Sequence, residues 1–140
     1  MKLSARNVLA GKVDKVVKGA VNSEVELTLE GGEKVVAIIT NTSADALELS
    51  EGTAAWAIIK ASEVIVGKGV HAASFSARNV LDGVVGSIED GAVSSEVSIQ
   101  LPGGSEIVAS ITKTSAHNLN LKRGDTVSAI IKASNVILGV

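Results

Sequence analysis

An internal duplication constrains the fold of this chain more than any other sequence feature. When the sequence is shifted by 72 residues, positions 4–67 align with positions 76–139 without a gap. About 36 of the 64 aligned positions are identical, as expected for two copies of one structural unit. We therefore predict two domains, at residues 1–67 and 76–140. Residues 68–75 are predicted to be a short linker or a strand that both copies share.

Each repeat is small for an independent domain. Domains of roughly 60 residues bury little of their surface and usually need disulfides, metals or association. The chain has no Cys and two His, which excludes disulfides and Cys-ligated zinc. We therefore expect the two repeats to dock against each other and the chain to form an oligomer.

Charge and composition disfavour nucleic acids and membranes as partners. The chain has 13 Lys and Arg against 15 Asp and Glu, whereas proteins that bind phosphate backbones usually carry a basic excess. Trp56 and Phe75 are the sole aromatic residues, too few for base stacking. No segment has the apolar core of a signal peptide or the ~20 apolar residues of a membrane span. We expect a cytoplasmic protein.

The first half of each repeat has the pattern of a β-hairpin. Residues 24–30 alternate polar and apolar side chains, Gly31-Gly32 can form a turn with positive φ, and residues 35–39 are apolar. The second repeat has the same pattern up to the turn at 102–104. This order predicts two antiparallel strands.

The second half of each repeat predicts a short helix and two further strands. Residues 42–47 suit a helix of one to two turns, with Thr42 or Ser43 as N-cap and Asp45 in its first turn. Residues 54–59 form an apolar strand, and residues 64–66 are predicted to close the same unit. About five strands and one helix per repeat indicate an all-β protein with two OB-like β-barrels.

The chain lacks the common catalytic motifs. The patterns GxxxxGK[ST], GxGxxG, GxSxG and HExxH are absent from the sequence. His71 lies in the linker and His117 aligns with Asp45, so neither His has a counterpart in the other repeat. We interpret both as structural or solvated, and we expect a protein that is not an enzyme.

The duplication also selects candidate binding residues, since a task that both repeats perform needs the same polar groups in each. The charged positions that both copies keep are Arg6/Arg78, Lys60/Lys132 and Glu24/Glu96, and most other shared polar residues carry hydroxyls. Cations, hydroxyls and backbone N–H groups suit a compact oxyanion, whereas a divalent cation needs carboxylates or imidazoles. The alternative is structural: an Arg6–Glu24 salt bridge at a strand start, and a capping Ser62 at a strand end.

At these residues the sequence resembles a known family. SARNVLAG, GAVNSEV, TNTSADAL and AIIKAS each occur in both repeats with small changes. In this order they resemble the Mop domain of the molbindins, small cytoplasmic molybdate-binding proteins, and the tandem copies resemble a di-Mop molbindin. The resemblance implies one OB-like barrel per repeat, a homotrimer, and molybdate as ligand with tungstate as its analogue.

The resemblance also implies two kinds of oxyanion site. The first lies between barrels and would use Ser4, Ala5, Arg6, Asn7, Lys60, Ala61 and Ser62, with a copy at Ser76, Ala77, Arg78, Asn79, Lys132, Ala133 and Ser134. The second lies on the trimer axis and would use Gly19, Ala20, Val21, Asn22 and Ser23, with a copy at Gly91, Ala92, Val93, Ser94 and Ser95. Glu24 would repel an oxyanion, so we assign it to a structural partner, either Arg6 or backbone amides, or to a subunit contact.

Three functions are compatible with these residues to different degrees. The first is storage and buffering of molybdate. The second is an anion-sensing regulatory or interaction module that acts through a protein partner, although the chain carries no helix-turn-helix or ATPase motif. The third, an enzyme acting on an oxyanion, lacks a nucleophile with an adjacent base.

Overall fold

Ten β-strands form two antiparallel sheets in the computed structural model, which describes residues 2–140. The edge strands of each sheet approach each other, so each sheet closes into a small barrel. This confirms the prediction of an all-β protein with two OB-like barrels. The strands are β1 (Asn7–Lys18), β2 (Asn22–Leu29), β3 (Lys34–Thr40), β4 (Ala54–Ile59), β5 (Ile65–Gly67), β6 (Asn79–Asp90), β7 (Ser94–Gln100), β8 (Glu106–Thr112), β9 (Thr126–Ile131) and β10 (Ile137–Gly139), and the helices are α1 (Asn41–Ala46) and α2 (Lys113–Asn118).

The closing strand of each repeat belongs to the barrel of the other repeat. The strand order is β10-β4-β1-β2-β3 in the first sheet and β5-β9-β6-β7-β8 in the second. Leu138 pairs with Ala57, and Val66 pairs with Ala129. The prediction that residues 64–66 close their own repeat is therefore wrong. The sequence pattern identifies a strand but does not choose its partner, because β4 and β9 both end in the same residues.

The linker does not form a strand shared by both barrels. Residues 72–74 form a 3₁₀ turn, and Lys68 donates hydrogen bonds to the carbonyl oxygens of Leu119 and Asn120 beyond α2. None of residues 68–75 lies in a β-strand, so the alternative of a strand shared by both copies is wrong, and the linker stays a prediction.

One hydrophobic core runs through both barrels. Val25 and Leu27 of β2 alternate inward and are buried, as are their counterparts Val97 and Ile99 of β7. These residues belong to a single cluster with Leu138 and other buried residues of both repeats. The repeats therefore dock as expected, and their shared core is larger than the part that either repeat contributes.

A pseudo-twofold axis relates the two repeats. Gly31 and Gly103, which occupy equivalent positions, approach each other so closely that a Cβ on Gly31 would lie 2.8 Å from the Gly103 carbonyl oxygen. Asn135 Nδ2 donates to Glu63 Oε2 at 3.0 Å, again between equivalent positions. Contacts between equivalent residues are expected only on such an axis.

Helix α1 begins one residue before the predicted range 42–47, and its N-cap lies two or three residues before the predicted caps. Thr40 is the N-cap of α1, and its Oγ1 accepts a hydrogen bond from the Ser43 N–H at 3.1 Å. The predicted caps Thr42 and Ser43 lie inside the helix, and Asp45 lies beyond the first turn, where its carboxylate is 3.5 Å from Lys18 Nζ. A capping hydroxyl reaches the third helical residue, so Thr40 is the position that serves Ser43. Neither helix of the described residues has the length and apolar character to span a membrane.

Candidate functional site

The first cavity forms where β1 begins and β4 ends. These strands are antiparallel neighbours, and Asn7 pairs with Ile59, so the residues before β1 meet the residues after β4 at one edge of the sheet. A cavity of about 520 Å³ at this edge contains six of the seven residues predicted for the first oxyanion site. They are Ser4, Ala5, Arg6, Lys60, Ala61 and Ser62.

The second repeat forms a smaller copy of this cavity. Its volume is about 320 Å³, and it forms between the residues before β6 and those after β9, which pair through Asn79 and Ile131. It again contains six of the seven predicted residues, namely Ser76, Ala77, Arg78, Lys132, Ala133 and Ser134. The antiparallel pairing thus assembles the same groups twice.

The wall of each cavity includes a closing strand that crosses over from the other repeat. Ile137 of β10 lines the first cavity and Ile65 of β5 lines the second. Both side chains are more than half exposed, and Leu3 and Phe75 add further exposed apolar surface at the rims. Sequence analysis missed these four residues because they carry no polar group. Leu3 and Phe75 do, however, occupy equivalent positions of the repeats.

The two arginines are held by carboxylates of the opposite repeat. Arg6 Nη1 donates to Glu96 Oε2 at 2.6 Å, and Arg78 Nη1 donates to Glu24 Oε1. The hydrogen bond and the negative charge of Glu96 raise the pKa of Arg6 above its ordinary value. The predicted Arg6–Glu24 pairing is therefore wrong, because the exchanged barrels bring each arginine to the β2 or β7 strand of the other repeat.

Lysines supply the cavities with positive charge that no carboxylate neutralises. Lys60 and Lys132 are exposed, and neither has an ion-pair partner among residues 2–140. A guanidinium has five N–H donors, so Arg6 and Arg78 keep donors beyond the one used by the carboxylate. Together with the serine hydroxyls, each cavity offers cations and donors. Within the described residues, no group of three His, Asp or Glu could hold a metal ion.

The side chains of Asn7 and Asn79 make hydrogen bonds within the fold. The Asn7 side chain is buried; its Nδ2 donates to the carbonyl oxygens of Ile59 and Val108 at 3.1 and 2.9 Å, and its Oδ1 accepts from the Val108 N–H at 2.7 Å. Asn79 makes the equivalent pair with Val36, at 2.8 and 2.7 Å. Backbone groups of the chain therefore occupy both side-chain amides, and a role of Asn7 and Asn79 in oxyanion binding stays a prediction.

The loops predicted for the second site are hairpin tips. Residues 19–21 join β1 to β2 and residues 91–93 join β6 to β7, and the last two residues of each predicted set begin the second strand. Val21 and Val93 at the tips are 70% and 77% exposed. Among the described cavities, none gathers either set of five residues. The structure thus places these loops on the surface of a single chain without assembling a site from them.

The serines at the base of these loops point inward. Ser23 Oγ donates to Asn41 Oδ1 and Ser95 Oγ donates to Asp90 Oδ1, each at 2.6 Å. Both serines are buried. Their hydroxyls are therefore occupied within the chain, and the second loop has a carboxylate that the first lacks.

The two histidines lie at the surface. His71 is exposed in the linker. His117 is exposed on α2, beside a small cavity of about 270 Å³ that Asp90 and Lys113 also line. Neither residue lines a cavity that holds the predicted oxyanion residues.

Each barrel is OB-like, and the duplicated cavity offers cations and hydrogen-bond donors of the kind that bind oxyanions. These features define the class as a tandem OB-like binding module, and comparisons with known proteins agree with this class. The TOBE domain family matches residues 3–66 and 76–138. The chain is 48% identical to the cytoplasmic molybdate-binding protein ModG, solved with molybdate bound, covering 100% of this chain and 99% of that chain with a TM-score of 0.94. The chain belongs to the TOBE-domain family, as a di-Mop molbindin, which confirms the resemblance found in the sequence.

Two further relatives are longer than this chain. The molybdenum-pterin-binding protein MopA of Rhodobacter capsulatus is 42% identical over 140 residues, which are 53% of its length. The transcriptional regulator ModE of Yersinia pestis is 36% identical over 139 residues, which are 52% of its length. The chain thus spans about half the length of the curated relatives it matches.

Proposed function

We propose that the chain binds molybdate, and tungstate as its analogue, in the two equivalent cavities. The main support is that each cavity gathers an arginine, a lysine and two serines, and that the carboxylate beside each arginine is already paired with it. The similarity to ModG, which binds molybdate, supports this assignment. We propose that the residues lining these two cavities hold the anion.

Binding in these cavities needs no proton transfer. Molybdate is a tetrahedral dianion with acceptor oxygens on every side, so its binding site needs hydrogen-bond donors arranged around it. Lys60 supplies a compact positive charge, and Arg6 supplies a planar fork whose direction Glu96 holds. Because each arginine is already balanced by a carboxylate, the lysines provide the net charge that attracts the anion. We propose binding without catalysis, since among the residues described no His, Asp or Glu lines either cavity to act as a base for the serine hydroxyls there.

The exposed apolar rims favour a closed assembly. Ile65, Ile137 and Leu3 are each at least half exposed around the cavities, and surface of this kind usually marks an interface. We propose that the chain forms a homotrimer, in which neighbouring chains cover the rims and the hairpin tips at Val21 and Val93 meet on the axis. Ligand that binds only the assembled state would stabilise it by mass action. The biological role would be molybdate storage and homeostasis in the cytoplasm.

Isothermal titration calorimetry with molybdate tests this proposal. Arg6→Ala combined with Arg78→Ala removes the fork from both cavities and should weaken binding by at least tenfold, since a charge-assisted hydrogen bond contributes about 1.5–3 kcal/mol. Arg123→Ala is the matched control, because Arg123 is exposed outside both cavities. Unchanged stoichiometry and affinity in the double variant would contradict the site assignment. Failure of the unmodified chain to bind molybdate would contradict the function.

A regulatory module is the second candidate. The similarity to the transcriptional regulator ModE of Yersinia pestis over about half of that protein favours it. In this case the assembly with bound anion would regulate a protein partner through binding that depends on the anion. A pull-down from cell extract, with and without molybdate, distinguishes the candidates: a single stoichiometric protein partner that depends on molybdate supports regulation, and its absence supports storage.

A further inference from the structure

The arginine of each proposed oxyanion cavity lies against the outer face of the opposite barrel. Arg6 of the first cavity is paired with Glu96 on β7, and Arg78 of the second is paired with Glu24 on β2. Both carboxylates belong to the outward side of their strands, because the residues next to them alternate inward and are buried. The two outer faces are equivalent in the duplication, but the charged residues around the two carboxylates differ.

The face beside the first cavity carries carboxylates without a counter-charge. Glu89 on β6 lies directly opposite Glu96 in the sheet. Glu106 begins β8, and its Oε1 accepts a hydrogen bond from the Ser98 hydroxyl at 2.6 Å. Within residues 2–140, neither Glu89 nor Glu106 has an ion-pair partner. Two negative charges on this face are therefore not neutralised.

The electric field of these carboxylates reaches the arginine of the first cavity. The hydrogen bond to Glu96 and the charge of Glu96 contribute most to raising the pKa of Arg6, and the charges of Glu89 and Glu106 raise this pKa further. A negative charge that stabilises the guanidinium must also repel an anion that binds beside it. An oxyanion in the first cavity is therefore repelled by both carboxylates.

The face beside the second cavity carries no such excess of negative charge. Val17 and Lys34 occupy the positions equivalent to Glu89 and Glu106. Lys34 Nζ lies 2.9 Å from the Asp14 carboxylate, and Lys15 Nζ lies 3.1 Å from the Glu26 carboxylate. Each of these carboxylates is thus paired with a lysine. The two cavities therefore have the same donors but different charges on the barrel face behind them.

We propose that Glu89 and Glu106 lower the affinity of the first cavity for doubly charged oxyanions, so that the second cavity takes up molybdate first. The inference rests on the proposed function, since it ranks the same two cavities. The repulsion is proportional to the charge of the ligand, so it acts half as strongly on a tetrahedral monoanion such as perrhenate. The duplication would thus give one chain a tighter and a weaker molybdate site, which widens the range of concentrations that the protein can buffer.

Single lysine variants of the full chain allow each cavity to be measured separately. Lys60→Ala weakens the first cavity and leaves the second, Lys132→Ala does the reverse, and the double variant measures binding elsewhere on the protein. Molybdate and perrhenate are titrated by calorimetry at an ionic strength of about 0.01 M, where screening is weak. Two unit charges about 10 Å from a dianion should weaken molybdate binding about three- to tenfold in Lys132→Ala relative to Lys60→Ala. Perrhenate should show only about the square root of that factor.

Neutral variants of the two carboxylates test their role directly. Glu89→Gln combined with Glu106→Gln keeps the size of both side chains, and the amide oxygen at position 106 can still accept from Ser98. In the Lys132→Ala background this change should raise molybdate affinity about three- to tenfold and perrhenate affinity by about the square root of that factor. The matched control is the same pair of changes in the Lys60→Ala background, where the affinity of the second cavity should stay the same.

The ratio of molybdate to perrhenate affinity separates electrostatic repulsion from a structural effect. A structural change in the cavity would alter the binding of both tetrahedral anions by the same factor. Equal changes for the two anions, an unchanged first cavity, or a first cavity that binds molybdate as tightly as the second would overturn the inference and leave the proposed function standing. Absence of molybdate binding in the unmodified chain would overturn both.

Discussion

Replacing Asn7 by alanine should weaken the attachment between the two repeats. The Asn7 side chain is 1% exposed and bridges β4 of its own repeat to β8 of the other. Alanine cannot replace any of these hydrogen bonds, so the carbonyl oxygens of Ile59 and Val108 and the N–H of Val108 lose the partner that Asn7 provides. Removing one partner of a buried hydrogen bond leaves the other group desolvated and unsatisfied.

The size of the effect follows from the number of bonds. Asn7 makes three hydrogen bonds, and at about 1 kcal/mol for each bond the variant Asn7→Ala should lower the free energy of unfolding by about 3 kcal/mol. Asn79 makes two, so Asn79→Ala should lower it by about 2 kcal/mol on the same basis. The equivalent residues of the two repeats should therefore differ in importance, with Asn7 the greater.

Urea denaturation at fixed protein concentration measures these differences, because the stability of an oligomer depends on concentration. The midpoint should fall in the order unmodified chain, Asn79→Ala, Asn7→Ala, with an unchanged slope. Asn118→Ala is the matched control, since Asn118 is exposed on α2, and it should shift stability by less than about 0.5 kcal/mol. A loss below about 1 kcal/mol for Asn7→Ala would refute the claim that these buried bonds hold the repeats together.

Three further perturbations test other features of the fold. Gly103→Ala places a Cβ against the carbonyl of Gly31 and should lower the melting temperature through an overpacking cost of about 1–3 kcal/mol, which calorimetry can measure. Leu138 lies in the second repeat, but Leu138→Ala should destabilise the first barrel by about 2–5 kcal/mol. Because the adjacent Gly139 pairs with Trp56, the fluorescence of that tryptophan should report the unfolding transition. A Trp56 signal unaffected by the variant would contradict the strand exchange. The N–H of Lys122 and the ammonium of Lys68 lower the pKa of Asp125 below its ordinary value of 3.8. The ionised carboxylate therefore stabilises the fold at pH values above 3.8, and this contribution disappears as the pH falls below 3.8. Asp125→Asn should therefore lower stability at neutral pH and flatten its dependence on pH in that acidic range, and an acid unfolding profile identical to that of the unmodified chain would contradict this.

The sequence predicted the elements of the fold better than the connections between them. The alternation around Val25 and Leu27 predicted β2 and its burial, and the apolar run at residues 54–59 predicted β4 with its observed bounds. Periodicity is a local signal, so it describes a strand such as β5 without indicating which edge the strand joins. The exchange of β5 and β10 depends on the linker and on the docking of the barrels, which the local pattern does not contain.

The candidate site was predictable to the extent that its residues are polar and repeated. Arg6 and Lys60 were found because both repeats keep their charge, and antiparallel pairing of β1 with β4 brings them together. The same filter selected Asn7, whose repetition reflects a structural task that both repeats also perform. Repetition of a polar residue thus indicates a role that both repeats share, but it does not show whether that role is binding or folding. The burial of the side chain in the structure distinguishes the two roles.

The strand exchange links each cavity to the folding of both repeats. The first cavity takes its donors from the first repeat and the wall residue Ile137 from the second, while its arginine is oriented by Glu96, also from the second. An anion bound there, as we propose, would contact a surface that exists only when both barrels are formed, so ligand binding would stabilise both together. A mutation in one repeat that destabilises its barrel should therefore weaken the cavity that carries the other repeat's donors. In a duplicated chain built in this way, the two copies can diverge in wall residues such as Leu3 and Phe75, yet neither can lose its fold without cost to the other.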